Sequence, residues 1–409
     1  MQIYKKYLEL SILFRIFANR MRKICFLTDS IFTIGGVQRV TAVIAKELAK
    51  DNAVTIVTFD KPGKYGPNLY DLANSNITFR IFNYPSIKNW KEKIYKLYSG
   101  IYLKCQFQSK WASNLYAWSS FPPPLRNTLA KELNKGRYDV IIGVHAPLAA
   151  RLATLRPYLS NTKLIGWIHN SFEALFGETS LYIGSDRKRH YVYQFQKLDD
   201  VIVLCNHDAE TYQKYDARFL PSVIYNPLTL IPGKMSEGNS HRFLAVGRFS
   251  HQHKGFDLLI EAFHIFAQQN TDWKLDIVGE GVEEKLYRLL IQKYHLEDRV
   301  LIRPFTNNIQ EYYSKAQVYV LSSRWEGFGL VLVEAMAHGL PIVSSDLPTS
   351  KEIMGDFGLY FKNGNIEELS QCLEEATQLN WKEKSKEAID IANRFDIKQI
   401  VEKWKKILD

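Results

Sequence analysis

Arg324-Trp325-Glu326-Gly327-Phe328-Gly329-Leu330-Val331-Leu332-Val333-Glu334-Ala335-Met336-Ala337-His338-Gly339 is the stretch that decides the fold of this chain. The run before it, Gln317-Val318-Tyr319-Val320-Leu321, has the composition of a buried strand. The run after Gly329 is helix-forming, so the order is strand, glycine turn, helix. Such a turn presents backbone N–H groups at a helix N-terminus, where anions bind. Glu326 stands before the turn and Glu334 on the helix behind it. Both carboxylates are suited to accept hydrogen bonds from neutral hydroxyls. The expected ligand therefore carries phosphate beside hydroxyl groups. Many α/β proteins also hold two acids around a strand–turn–helix unit merely to solvate a helix start, so other segments must decide.

Outward from this stretch, strand-like runs alternate with helical ones, the pattern of parallel α/β domains. Strands are predicted at Lys23–Thr28, Ala53–Phe59, Ile77–Phe82, Tyr138–Gly143, Lys163–Ile168 and Asp200–Leu204. A second set is predicted at Phe243–Gly247, Lys274–Gly279, Val300–Arg303, Val318–Ser322 and Pro341–Ser344. Residues 228–240 lack periodicity and form the expected linker. Each half then reads as a Rossmann-like unit with ligands at the carboxyl ends of its strands. The boundaries expected are 21–227, 228–395 and a final amphipathic helix at 396–409, whose stripe is Ile397, Ile400, Val401, Trp404 and Leu408.

Composition narrows the function classes. The 409 residues are 46% hydrophobic, enough for two sizeable cores. Cys25, Cys105, Cys205 and Cys372 are too dispersed for a disulfide framework or a zinc site, and a reducing cytoplasm fits. No run of about 18 uncharged apolar residues predicts a spanning helix. The net charge is +10. Residues 1–23 carry Lys5, Lys6, Arg15, Arg20, Arg22 and Lys23 against Glu9, and residues 84–111 carry Lys88, Lys91, Lys93, Lys96, Lys104 and Lys110 against Glu92. The remainder is neutral. Nucleic-acid proteins more often spread a basic stripe over the folded body, so no nucleic-acid partner is expected. Two local basic, aromatic-rich segments point to an anionic membrane surface.

Five further elements end predicted strands. Ser30–Arg39 contains Gly35-Gly36, which lets backbone come close to a ligand, and Arg39 either lies near that ligand or on a helix surface. Gly247-Arg248 and Lys254-Gly255 bracket a loop in which a guanidinium fork and an ammonium point charge suit a pyrophosphate. His251 and His253 flank this loop without a nearby carboxylate or cysteine and are expected to be exposed rather than metal ligands. Gly279 and Gly281 close another strand, and His145 and His169 each close a strand in the first half.

Taken together, these segments resemble the Glu-x7-Glu signature and glycine loops of retaining glycosyltransferase family 4, which has the GT-B fold. The resemblance spans most of residues 21–409. It implies two Rossmann-like domains facing across a cleft, with the final helix crossing back to the first. It implies that Gly35 and Gly36 lie near the donor phosphates, as do the backbone amides of Phe328, Gly329 and Leu330. Arg248, beside Gly247, and Lys254 would hold the diphosphate leaving group. Gly279, Gly281 and the Arg303-Pro304-Phe305 region would line the nucleoside pocket, although Pro304 departs from the glycine that relatives often carry. Glu326 would orient sugar hydroxyls and Glu334 would hold the ribose. His145, ranked ahead of His169, would stand beside the reacting sugar. Glu326, His145, His169, Arg248 and Lys254 form the expected catalytic set. No covalent intermediate and no metal or other cofactor is implied, and no Asp-x-Asp stands near the proposed site.

The expected reaction moves a hexose or N-acetylhexosamine from a UDP- or GDP-linked donor to a lipid-linked or oligosaccharide acceptor in cell-surface glycan synthesis. A nucleotide-sugar epimerase and a non-catalytic membrane-docked sensor are the rival readings. Peripheral attachment to the inner face of the cell membrane is the expected location. In residues 84–111, Trp90, Ile94, Leu97 and Ile101 form an apolar stripe at helical spacing, with Trp111, Tyr116 and Trp118 following. It either docks on a membrane bearing the acceptor or packs on the first sheet. Residues 1–20 place Ile3, Tyr4, Tyr7, Leu10, Phe14 and Phe17 on one helical face. They are either an interfacial anchor or the product of a miscalled start before Met21.

Overall fold

The computed structural model describes residues 21–409 apart from 61–65, Lys88, 106–108, Thr179 and Leu181. The expected prefix helix, residues 1–20, lies outside the described residues. Two parallel sheets dominate. The first has the order β3-β2-β1-β4-β5-β6-β7, from β1 (Lys23–Thr28), β2 (Ala53–Thr58), β3 (Ile77–Ile81), β4 (Val140–Val144), β5 (Lys163–Trp167), β6 (Asp200–Val203) and β7 (Ser222–Val223). The second has the order β10-β9-β8-β11-β12-β13, from β8 (Arg242–Val246), β9 (Lys274–Val278), β10 (Val300–Arg303), β11 (Val318–Leu321), β12 (Ile342–Ser345) and β13 (Leu359–Phe361).

In both sheets the winding starts in the middle, runs to one edge, then restarts on the other side of the first strand. This is the doubly wound order, and ligands bind where it reverses. Those points fall at the carboxyl ends of β1 and β4 in the first sheet and of β8 and β11 in the second. The strands read as near-continuous apolar runs because helices cover both faces. In β1 every residue after Lys23 is buried. Cys25, Leu27, Val57, Ile141 and Leu164 share one core cluster, and Phe243, Ile260, Phe263, Leu275 and Ile277 share another.

The described residues group into two compact units. One holds residues up to Trp167, Arg189–Val201 and Leu408; the other holds Ile168–Lys188, Ile202–Ile407 and Asp409. Several helices set up the sites. In the first unit, α1 (Gly36–Leu48) follows β1, α2 (Asn89–Cys105) and α3 (Lys110–Ser120) follow β3, and α4 (Ala146–Ala153) follows β4. In the second, the single turn α5 (His251–Lys254) and helix α6 (Phe256–Ala267) follow β8. Further along, α7 (Gln310–Lys315) precedes β11 and α8 (Leu330–Ala337) follows it. The terminal helix α9 (Ile397–Leu408) buries Ile400, Val401, Trp404 and Leu408, and Asp396 caps its start by accepting from the Lys398 amide. The expected linker carries no helix or strand between β7 and β8, but it is fastened: Leu228 N–H donates to the Phe395 carbonyl at 2.8 Å and Ser236 N–H to the His338 carbonyl at 3.2 Å.

Candidate functional site

The reversal point of the second sheet gathers the loops after β8 and β11. Gly255 has φ +61°, and a Cβ there would stand 2.1 Å from the Ser322 carbonyl oxygen. Only glycine permits both the left-handed backbone and that approach. Three further contacts fasten the loops. Ser322 Oγ donates to the Lys254 carbonyl at 2.8 Å. Arg324 N–H donates to the His253 carbonyl at 2.7 Å. The Arg324 guanidinium grips Asp257 of α6 with a fork of bonds at 3.0 and 2.7 Å. Arg324 thus fixes the turn rather than reaching outward.

On this frame sits a buried ion pair. Lys254 Nζ donates to Glu326 Oε1 at 2.5 Å, and Ser323 Oγ donates to the same oxygen at 2.7 Å. His253 Nε2 lies 3.8 Å from that oxygen, beyond hydrogen-bond reach. Glu326 is 8% exposed. Burial alone would raise its pKa, but the Lys254 charge and the neighbouring His253 overcome that penalty and hold the carboxyl well below the usual range. All these contacts fall on one oxygen and leave Oε2 as a further acceptor. The stem of Lys254 lies along Gly247, where a Cβ would come within 3.0 Å of Lys254 Cε.

His253 departs from expectation. It is not an exposed loop residue: its ring stacks on Trp325 at 5.1 Å, nearly parallel, and its side chain is only 25% exposed. The single turn of α5 aims it at Glu326, which sequence spacing did not reveal. The side chain of His251 lies outside the described residues. Arg248 is exposed at the end of β8.

Beyond Glu326 the chain turns through Gly327, Phe328 and Gly329. A Cβ on Gly327 would lie 2.1 Å from the His169 carbonyl oxygen. Gly329 has φ +83° and begins α8 with no side chain capping the helix. The Leu332 amide donates to the Gly329 carbonyl at 2.9 Å, and no side chain accepts from the turn before it, the kind of helix start that binds anions. The Phe328 ring turns into the core against Phe395 and Tyr225. Glu334, within α8, is 2% exposed. Its carboxylate accepts from the Tyr313 hydroxyl of α7 at 3.1 Å and the Thr229 hydroxyl at 3.2 Å. Tyr313 is held in turn by stacking on His338, whose ring nitrogen lies 2.7 Å from the Glu334 carbonyl. Ser323, Thr229 and Tyr313 were missed by sequence reasoning. The last two lie 105 and 21 residues from their partner, and common hydroxyl side chains carry no motif.

Gly279 and Gly281 serve the backbone first. A Cβ at Gly279 would stand 1.9 Å from the Gly247 carbonyl oxygen, and one at Gly281 would stand 2.6 Å from that of Phe249. Phe249 N–H donates to the Glu280 carbonyl at 2.9 Å, so the two strand ends are zipped together. Arg303 does not point freely into solvent: it joins Arg242 on buried Asp276 at 3.1 and 2.6 Å respectively.

In the first unit, the reversal point carries Gly35 and Gly36 after β1 and His145 after β4. Gly35 has φ 178°, ordinary extended backbone, so no left-handed conformation explains the glycine there. Its N–H donates to the Tyr70 hydroxyl at 2.9 Å. His145 is stranger: it holds φ +75° and ψ 152° while preceding α4. Such backbone costs a non-glycine residue on the order of 1–3 kcal/mol and concentrates at functional sites. Burial depresses its imidazole pKa to about 4, so the ring is neutral at physiological pH. His169 is 5% exposed in the second unit.

Comparison with known proteins agrees with this geometry. Residues 34–230 match the family described as Glycosyltransferase Family 4, and residues 232–395 match Glycosyl transferases group 1. The chain is 28% identical over 408 residues to an uncharacterized glycosyltransferase of Haemophilus influenzae, across 95% of this chain and 100% of that one. It is 26% identical over 356 residues to the amylovoran biosynthesis glycosyltransferase AmsD of Erwinia amylovora, across 83% and 85% of the two chains. The solved structure of Anabaena HepE in complex with UDP and glucose superposes with a TM-score of 0.73 at 20% identity, covering 95% of this chain and 99% of that one. The chain belongs to glycosyltransferase family 4 and has the GT-B fold.

Proposed function

We propose that this enzyme moves a hexose or N-acetylhexosamine from a UDP- or GDP-linked donor to a lipid-linked or oligosaccharide acceptor. Transfer proceeds with retention at the anomeric carbon and without a metal ion, in synthesis of a cell-surface glycan at the inner face of the cell membrane. Residues 21–227 form the acceptor side and 228–395 the donor side. The observation that carries this reading is the buried Lys254–Glu326 pair, set beside the uncapped start of α8 at the reversal point of the second sheet. The AmsD name and the UDP and glucose held by HepE support the substrate class.

The roles follow from position. The bond between the anomeric carbon and the diphosphate breaks, and negative charge builds on the departing phosphate oxygen. Lys254, Arg248 and the amides of Phe328, Gly329 and Leu330 offset that charge by groups already in place, which is where such groups act most strongly. Glu326 accepts a sugar hydroxyl on its remaining oxygen Oε2. Glu334 shares its carboxylate between Tyr313, Thr229 and the ribose hydroxyls. Gly35, Gly36, Gly279 and Gly281 keep backbone close enough for the donor to lie against it. His145, neutral and held in strained backbone, and His169 face the reacting sugar.

The test is a thermal-shift panel of nucleotide-sugars, since a ligand at 100 times its Kd stabilises the fold by about 2.7 kcal/mol. The best donor is then incubated with lipid-linked acceptors, with and without chelator, and the product anomer assigned by NMR. Chelator-insensitive release of nucleoside diphosphate with an α-linked product from an α-linked donor is the expected result. Epimerised donor without acceptor, or binding without nucleotide release, overturns it.

A further inference from the structure

The helical pair α2–α3 is built with its two apolar faces pointing opposite ways. The inner face is tyrosine-rich. Tyr102 stacks on Tyr116 at 4.4 Å, Tyr95 meets Trp118 edge-on at 4.8 Å, and Ser99 bonds Ser119 at 2.8 Å. That face satisfies the pairing of the two helices. The second face is the stripe Trp90, Ile94, Leu97 and Ile101, and nothing described covers it. These residues are 59, 51, 65 and 42% exposed, and Trp111 at the start of α3 is 72% exposed. A contiguous exposed row of large apolar side chains marks an interaction surface rather than scattered surface residues.

Charge says what covers it. Lys93 stands three residues after Trp90 and four before Leu97, and Lys104 stands three after Ile101, so both border the stripe on a helix. Lys91 lies over the Trp90 ring at 5.3 Å, and all three lysines are exposed. A second copy of this chain would bring the same lysines against these. Residues 1–23 carry a net charge of +5 and repel residues 84–111, which also carry +5. An anionic bilayer is attractive to both segments. Trp90, at the start of the stripe, suits the headgroup region, where an amphipathic ring is half wet.

We propose that the outer face of α2 inserts shallowly into an anionic lipid bilayer and holds the enzyme on the membrane. Its purpose rests on the lipid-linked acceptor proposed above; the binding itself does not. The stripe supplies the apolar contact and the bordering lysines the attraction to lipid phosphate, the two components of interfacial helix binding.

The purified full chain is sedimented with equimolar phosphatidylglycerol–phosphatidylcholine vesicles and with phosphatidylcholine vesicles alone, in the absence of donor. The expected result is binding to the anionic vesicles only, weakened by salt. Replacing Lys91, Lys93 and Lys104 together by Gln should lower partitioning by about 10²-fold, and Leu97→Asp by on the order of 10-fold. Both variants should melt as wild type and keep the donor-induced thermal shift. Vesicle binding that survives both changes overturns the proposal. So does a dimer that Leu97→Asp dissolves without any vesicle binding, or loss of all binding when the chain starts at Met21 with the stripe intact. A protein that binds vesicles but shows no thermal shift with any nucleotide-sugar leaves this surface standing and removes the transferase reading instead.

Discussion

Replacing Lys254 by Met keeps the stem that lies along Gly247 and removes only the charge. Glu326 then remains 8% exposed with Ser323 as its one hydrogen-bond donor among the described residues. Removing one partner of a buried pair costs about 3–5 kcal/mol, because the remaining charge stays desolvated. In a unit of this size that loss lowers Tm by roughly 6–20 °C. The pH dependence separates this cause from lost packing. In wild type the Glu326 pKa is depressed on folding, so its stabilisation is present above the unfolded carboxylate value of about 4.3 and is lost as pH falls through the folded value. In Lys254→Met burial dominates and raises the folded pKa above the unfolded one. The folded state then takes up a proton, and the variant gains stability as pH falls from 7 toward 4.5. The assay is calorimetric melting of wild type, Lys254→Met and Lys254→Met/Glu326→Gln from pH 8 to pH 5. The gap to wild type should narrow as pH falls, and the double variant should recover most of the loss. A gap that stays constant with pH, together with a double variant no more stable than the single one, refutes the buried-pair account.

Arg248→Ala should leave Tm within about 1 °C of wild type, because the side chain is exposed, yet slow turnover by about 10²-fold by removing charge from the departing diphosphate. Steady-state rates beside a melting curve check both halves. Gly327→Ala should cost about 1–3 kcal/mol, since its Cβ would fall 2.1 Å from the His169 carbonyl oxygen and neither backbone segment can move freely. A melting temperature equal to wild type counts against the close approach of the two segments.

The fold was legible where patterning was long. Eleven predicted strands recur within two residues at each end, because a parallel strand buried on both faces is a continuous apolar run. Ser222–Val223 and Leu359–Phe361 were missed, being edge strands of two and three residues with no room for a period. The turns of the candidate site were legible where glycine marks them: Gly255 and Gly329 have the left-handed backbone that glycine adopts freely. Gly35 shows the limit of that logic, since its backbone is extended. What the sequence hid were the side chains that position others. Arg324 carried no assigned role and turned out to clamp Asp257. His253 looked exposed and turned out to stack on Trp325 beside the Glu326 carboxylate. Tyr313 and Thr229 reach Glu334 only after the chain has folded. Such partners are fixed by tertiary geometry, and no spacing rule along the chain announces them.

The central claim is that Glu326 serves the transferred sugar and Glu334 the ribose, on either side of an anion-binding turn. Titration calorimetry of UDP and GDP into wild type, Glu326→Gln and Glu334→Gln, paired with turnover of the intact donor, tests it most directly. Ribose is present in the free nucleotide and the sugar is not. Glu334→Gln should therefore lose affinity for the free diphosphate. Glu326→Gln should bind that diphosphate as wild type does but turn over the intact donor poorly. Equal loss of free-nucleotide affinity in both variants contradicts the division of roles, and unchanged turnover in both contradicts the assignment of this site.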